Sequence, residues 1–297
     1  MGANVETAVS FLATHGRLVD RRRLQFIRGE GTSESVWAAL RAYRNVDGGY
    51  GWGLEPDLRA PESQPVGAMH ALEIMADPGM TSASEVNHVL ELCVWLQSHT
   101  LPDGGLPFAL PVLDPSGTAP FWASANPDMS SLQMTAQVVA QLHLIGRNHP
   151  TVASHPWLAR ASNYCFDVLG ADTFVPSAYE LLFALRMLDA ATGQDPRAEN
   201  LIDRLALHLP RNGIVSVDGG AAGEALYLLD LSPRPDNTSR RLFDKDAVAA
   251  DLARLTSEQR PDGGWSVNID VHSPAAALEW RSYATVQALT ILQLHGV

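Results

Sequence analysis

One short turn constrains this chain more than any other feature. Asp-Gly-Gly occurs at Asp47-Gly48-Gly49, Asp103-Gly104-Gly105, Asp218-Gly219-Gly220 and Asp262-Gly263-Gly264. Glycine takes positive φ at little cost, so each turn ends one helix and redirects the chain into the next segment. The segments before the turns are amphipathic at helical spacing, as in Val86, Val89, Leu90, Cys93 and Leu96, or Leu201, Ile202, Leu205 and Leu209. The segments after them are apolar almost all round, over residues 66–75, 132–145, 181–188, 221–231 and 283–294. A helix of that kind must be covered on most of its surface.

Pairing one half-wet helix with one buried helix, about every 40 to 60 residues, predicts a ring of helical hairpins. The expectation is an all-α chain folded as a single α/α toroid over residues 1–297, with about six hairpins in inner and outer rings. No Val/Ile/Thr alternation is long enough to propose a sheet.

A formal charge of -12 argues against a nucleic-acid groove or an anionic membrane surface, both of which need clustered cations. No run approaches the roughly 18 to 20 apolar residues of a spanning helix, and the amino terminus lacks a basic-then-apolar leader, so the expected location is cytoplasmic, without membrane insertion. Cys93 and Cys165 lie in apolar helical runs and read as reduced core thiols. Lys245 is the only lysine, which leaves little scope for Schiff-base chemistry. With no Walker loop, dinucleotide fingerprint or His-Glu-x-x-His, no cofactor and no metal is expected.

Candidate chemistry gathers in two clusters. In the first, Glu55 and Asp57 flank Pro56, which favours extended backbone and leaves two carboxylates close together. Like charges under apolar walls raise one pKa, so Asp57 is the candidate acid and Glu55 its partner, with Arg59 placed to orient them or hold an anion. The plain alternative is that these groups pin the loop. In the second, His272 is a candidate base beside Asp270, followed by Glu279, Trp280 and Arg281; a loop histidine that is only surface is the competing reading. Gln133, Gln137 and Gln141 recur every four residues and would form a polar ladder, lining a cavity or bonding neighbouring helices. His70 and Glu73 share a helix face in the same sense, as do Glu224 and Tyr227, while Tyr179 and Glu180 stand at a helix start. Trp52, Trp122 and Trp280 are candidate aromatic walls, whereas Trp265 reads as a packing wedge. Arg21, Arg22 and Arg23 read as solvated surface.

Gln259-Arg260-Pro261-Asp262-Gly263-Gly264-Trp265 resembles the Gln-x-x-Asp-Gly-Gly-Trp repeat of the prenyltransferase and squalene-cyclase superfamily, and Asp47-Gly48-Gly49-Tyr50 and Asp103-Gly104-Gly105-Leu106 are looser copies. His15-Gly16-Arg17, the stretch from Gly49 through Arg59 and Ser63-Gln64-Pro65 are similar to a bacterial single-toroid branch. The resemblance implies an α/α toroid with a central hydrophobic cavity. The chain lacks the Asp-x-Asp-Asp acid of class II cyclases and the Asp-x-Cys zinc pair of protein prenyltransferases, so neither site is transferred.

The leading expectation is therefore a terpene-cyclase-like enzyme. It would carry out acid-base isomerisation, cyclisation or elimination (isomerase or lyase chemistry) on an isoprenoid or other hydrophobic small-molecule substrate. The substrate-binding set is Trp52, Arg59, Trp122, Gln133, Tyr179, Glu224, Tyr227, Asp270, Trp280 and Arg281. The alternatives are a non-catalytic binding or scaffolding toroid, and a carbohydrate lyase or hydrolase on an α/α barrel, which would also use paired acids and aromatic platforms.

Overall fold

The structure, a computed structural model, describes residues 2–297. It shows the expected all-α class: among the described residues there are fourteen α-helices and only one two-stranded pair, Val215–Ser216 with Ala225–Leu226. The described chain groups into two compact units, one made of residues up to Ala39 together with Ala206–Val297, the other of Leu40–Leu205. No helix among the described residues is long and apolar enough to cross a membrane.

Within Leu40–Leu205 the alternation of the sequence becomes two rows of helices. Pro65–Met75, Leu132–Gly146 and Ala178–Ala191 pack side by side as a buried row. Val86–Ser98, Pro156–Gly170 and Arg197–Leu205 cover it and contact one another in sequence. Every residue of Pro65–Met75 is buried, as a helix that is apolar almost all round requires. Burial of its Leu72, Ile74 and Met75 side chains supplies roughly 1.5–3 kcal/mol each. The covering helix Val86–Ser98 buries Val89, Leu92, Cys93, Trp95 and Leu96 and leaves its other face to solvent. Cys93 and Cys165 are free and buried, and burial raises both thiols above their ordinary range, Cys93 to about 12.

Three of the four Asp-Gly-Gly turns share one geometry. The Asp47, Asp103 and Asp262 carboxylates accept from the amides of Gly49, Gly105 and Gly264 at 2.9, 3.1 and 3.1 Å. Gly48, Gly104 and Gly263 stand at φ 91°, 100° and 93°, where an L side chain is strained. The carboxylates also brace their surroundings: Asp47 accepts from Ser63 Oγ and Trp95 Nε1, Asp103 from Ser130 Oγ, and Asp262 from Arg281. The fourth turn departs. The helix expected over 221–231 forms only at Leu228–Leu231, because Gly219 and Gly223 take positive φ and fold the preceding residues into the short hairpin.

The other unit packs Val5–His15, Leu18–Ile27, Lys245–Ser257 and Pro274–Leu294 around Phe11, Leu24, Trp265, Val286 and Leu289. Trp265 is the wedge expected of it, buried with its indole N–H donating to the Leu255 carbonyl at 2.7 Å. Arg23 departs from the solvated-surface reading and is buried, whereas Arg21 and Arg22 are exposed. Three consecutive side chains splay around a helix, so one of them faces inward.

Candidate functional site

The site is assembled by two loops and the helix that follows the first. The chain leaves Tyr50, makes the tight path through Glu55 and Asp57, and enters Pro65–Met75, with Pro65 at the first helical position where its missing N–H costs nothing. Gln64 N donates to the Tyr50 carbonyl at 2.9 Å, and a Cβ on Gly67 would lie 2.2 Å from that same oxygen. Only glycine at this position lets the first helical turn lie against the loop backbone. The second loop, which leads into Leu132–Gly146, is stitched to the first. Gln64 Nε2 donates to Leu110 O at 3.1 Å while Leu110 N donates to Gln64 Oε1 at 2.8 Å, and Ala119 N donates to Asp57 O at 2.8 Å.

This arrangement places three ionisable side chains in a buried line. His70 Nε2 lies 2.8 Å from Glu55 Oε2, and His70 Nδ1 lies 3.2 Å from Glu73 Oε2. All three are buried, at 4%, 4% and 9% exposure for Glu55, His70 and Glu73. Burial is the largest influence on His70 and disfavours its charge. The hydrogen bonds to Glu55 and then Glu73, with their negative charges, outweigh it and raise the imidazole to about 9. At neutral pH His70 is an imidazolium with one N–H donated to each carboxylate.

Asp57, only 1% exposed, is joined to this line through its amide, which donates to Glu55 Oε1 at 3.2 Å. Glu55 and Asp57 are thus adjacent and enclosed, as the sequence implied. Glu55, however, is engaged by a cation rather than by an apolar wall. Arg59 is exposed, its stem lying beside Gly53 and Gly117 and its amide donating to Gly117 O. Trp122 is 8% exposed and stacks on Phe108 with centroids 4.4 Å apart, and its Nε1 has no hydrogen-bond partner.

Two hollows are lined by residues of this unit, and one of them touches the line. A small one of about 10 Å³ is lined by Glu73, Gln137, Gln141 and Arg186, with Met69 and Phe183. It reaches Gln137 and Gln141 but not Gln133, which is half-buried a turn earlier on the same helix. Tyr179 stacks on Phe183, with ring centroids 6.4 Å apart. The larger is an open depression of about 600 Å³ walled by Asn45, Asp47, Glu62, Ser63 and His99. Trp52 is 56% exposed and donates its indole N–H to Asn45 Oδ1 at 2.7 Å.

The remaining candidates belong to the other unit. Asp270 and His272 are exposed and no hydrogen bond joins them, so the orienting pair is not formed. Arg281 is committed to the Asp262 turn, donating to both Asp262 oxygens at 2.7 and 2.8 Å and lying 4.4 Å over the Phe11 ring. Glu279 is half-buried on the last helix, and Trp280 meets Tyr283 edge-on at 5.6 Å. Glu224 braces its own hairpin by accepting from Ala221 N at 2.7 Å, and Tyr227 carries the Arg254 guanidinium 3.7 Å over its ring. Among the described residues no cluster of His, Cys, Asp and Glu is arranged to hold a metal ion; the two nitrogens of His70 point to carboxylates on opposite sides of the ring.

His70 and Glu73 are members of this buried line that candidate selection from sequence passed over. Their signal is two ionisable groups three residues apart on a helix that is otherwise wholly apolar.

No family model matches the chain, and no curated protein matches its sequence. Among solved structures the fold is similar to that of a protein from Actinoplanes, 13% identical, with a TM-score of 0.55 over 99% of this chain and 98% of that one. A likeness is also found to the endo-beta-1,4-glucanase CMCax from Acetobacter xylinum, 11% identical, with a TM-score of 0.48 over 95% of this chain and 99% of that one.

Proposed function

We propose that the chain is an acid-base enzyme that hydrolyses a hydroxyl-rich small molecule of the saccharide class, with Glu73 as the base. The observation that carries this reading is an imidazolium held between two carboxylates, one of which, Glu73, lines a hollow. The hollow has the volume of a single water, and Glu73, Gln137, Gln141 and Arg186 supply the polar partners that one requires. Glu73 would accept a proton from that water while His70 stays protonated and holds the carboxylate in position through its Nδ1–H. Glu55 fixes the imidazole from the other side, so it acts as a positioning residue. Asp57, enclosed next to Glu55, is the proposed acid that protonates the leaving group.

The Glu73, Gln137, Gln141 and Arg186 side chains around the small hollow favour a saccharide over an isoprenoid, since a cavity for a carbocation chain is lined by aromatic and aliphatic groups. One feature favours the isoprenoid cyclisation implied by the Gln-x-x-Asp-Gly-Gly-Trp resemblance: the Phe108–Trp122 stack on the loop that bonds to Asp57. A single experiment separates the two readings. The purified protein is incubated with a panel of neutral and acidic oligosaccharides and, in parallel, with linear isoprenoid diphosphates. Release of reducing ends that Glu73→Gln abolishes supports the hydrolase; a cyclised hydrocarbon abolished by Asp57→Asn supports the cyclase. No turnover in either arm leaves the scaffold reading in place.

A further inference from the structure

The turn geometry of Asp47, Asp103 and Asp262 recurs once more, at a place where the sequence has no Asp-Gly-Gly. Asn212 Oδ1 accepts from Ile214 N at 3.1 Å, just as each of those carboxylates accepts from the amide two residues on. Gly213 N donates to Pro210 O at 2.9 Å, matching the bonds of Gly48, Gly104 and Gly263 to the carbonyls three residues back, and its φ is 69°. Asn212 therefore stands where the other three turns carry their acid.

Two differences set this copy apart. Each of the three carboxylates is braced by a further side chain, from Ser63, Ser130 or Arg281, whereas Asn212 Oδ1 has the Ile214 amide alone. Arg211 and Asn212 are exposed and Ile214 is 41% exposed, so little packing holds the segment. The bond from Oδ1 to the amide two residues on folds the carboxamide back over the intervening nitrogen, and that nitrogen belongs to a glycine, which has no side chain to shield it. Asn212-Gly213 is the only Asn-Gly pair among the ten asparagines of the chain.

We propose that Asn212 is a site of spontaneous deamidation in the folded protein. Gly213 is buried and its N–H is engaged by Pro210 O, so the reaction follows the opening of that one turn bond. The freed N–H gives its proton to hydroxide and the nitrogen bonds to Asn212 Cγ. The Cγ–Nδ2 bond breaks, ammonia leaves, and a five-membered succinimide joins the two residues. Water then opens the ring. Cleavage of the new bond to Cγ leaves an aspartate, and cleavage of the original peptide bond leaves an isoaspartate whose chain runs through the side-chain carbon. The aspartate supplies the charged acceptor that the three sister turns already have. The isoaspartate lengthens the backbone just ahead of Val215–Ser216 and disturbs its pairing with Ala225–Leu226.

The test holds the whole chain in warm, mildly alkaline buffer, folded and, in parallel, unfolded in urea. Intact mass and a proteolytic map that separates aspartate from isoaspartate follow the reaction. The folded chain should gain the mass of deamidation at Asn212 before any of the other nine asparagines, at a rate that rises with hydroxide concentration. Asn212→Ser, which keeps an acceptor for the Ile214 amide, should abolish that first gain. Three results each overturn the proposal: another asparagine reacting first in the folded chain, reaction at Asn212 only in the urea-unfolded chain, or an Asn212→Ser protein that gains mass as fast as the parent.

Discussion

His70 Nε2 and Glu55 Oε2, 2.8 Å apart, join a buried helix to the loop that leads into it, across fifteen residues of chain. The contact makes the charge of His70 part of the fold as well as of the proposed chemistry. Its imidazole, ordinarily near 6.5, is raised to about 9 in the folded protein, and the unfolded chain keeps the ordinary value. The folded state therefore binds this proton more tightly. The stabilisation is fully present below about pH 6.5 and is lost as pH rises through about 9. It amounts to roughly 3 kcal/mol, and urea denaturation across that window should show the decline in the parent and not in His70→Gln.

Glu55→Gln removes one partner of a buried ion pair and leaves the imidazolium with a single carboxylate. A loss of about 3–5 kcal/mol of stability is expected. Glu73 is the outer partner, 3.2 Å from the ring and on the wall of a hollow. Glu73→Gln should therefore cost less in a thermal melt than Glu55→Gln. The reverse order would show that the outer bond, not the inner one, holds the histidine.

Asp57→Asn keeps the size of a fully enclosed side chain and removes its acid. In a variant that melts near the parent temperature, turnover of whichever substrate the oligosaccharide and isoprenoid panel identifies should fall by about 10²–10⁴-fold, the usual worth of a placed general acid. Full retention of activity would remove Asp57 from the mechanism.

Gly67→Ala drives a methyl to 2.2 Å from the Tyr50 carbonyl oxygen, and both strands of chain there are backbone. Overpacking of this kind costs about 1–3 kcal/mol, measurable as a lowered melting temperature. Because the same backbone carries Glu55 toward His70, the substitution should also flatten the alkaline stability decline that His70 produces.

How much of this was legible in the sequence depends on how local each cause is. The 66–75 segment, apolar almost all round, dictates its own burial, and the Asp-Gly-Gly turns at Asp47, Asp103 and Asp262 need only residues within the turn and their immediate neighbours. His70 and Glu73 were visible as a pair on one face, but their third partner, Glu55, arrives by a loop path set by the close approach of Gly67 to Tyr50, which no spacing rule contains. The 221–231 segment shows the opposite failure: its Ala and Leu content suggests a helix, while the conformations of Gly219 and Gly223 decide against one. Asp270 and His272 illustrate a third case, since an i, i+2 pair shares a face only in an extended chain, and here both residues are exposed with no hydrogen bond between the two.

The reciprocal bonds between Gln64 and Leu110 have a dynamic corollary. A side chain that both gives and receives across a gap locks two stretches of backbone to one another, so neither can swing out while the other stays. Local breathing in this region must then release both stretches in a single event, and amide exchange at Gln64, Leu110 and Ala119 should proceed at a common rate.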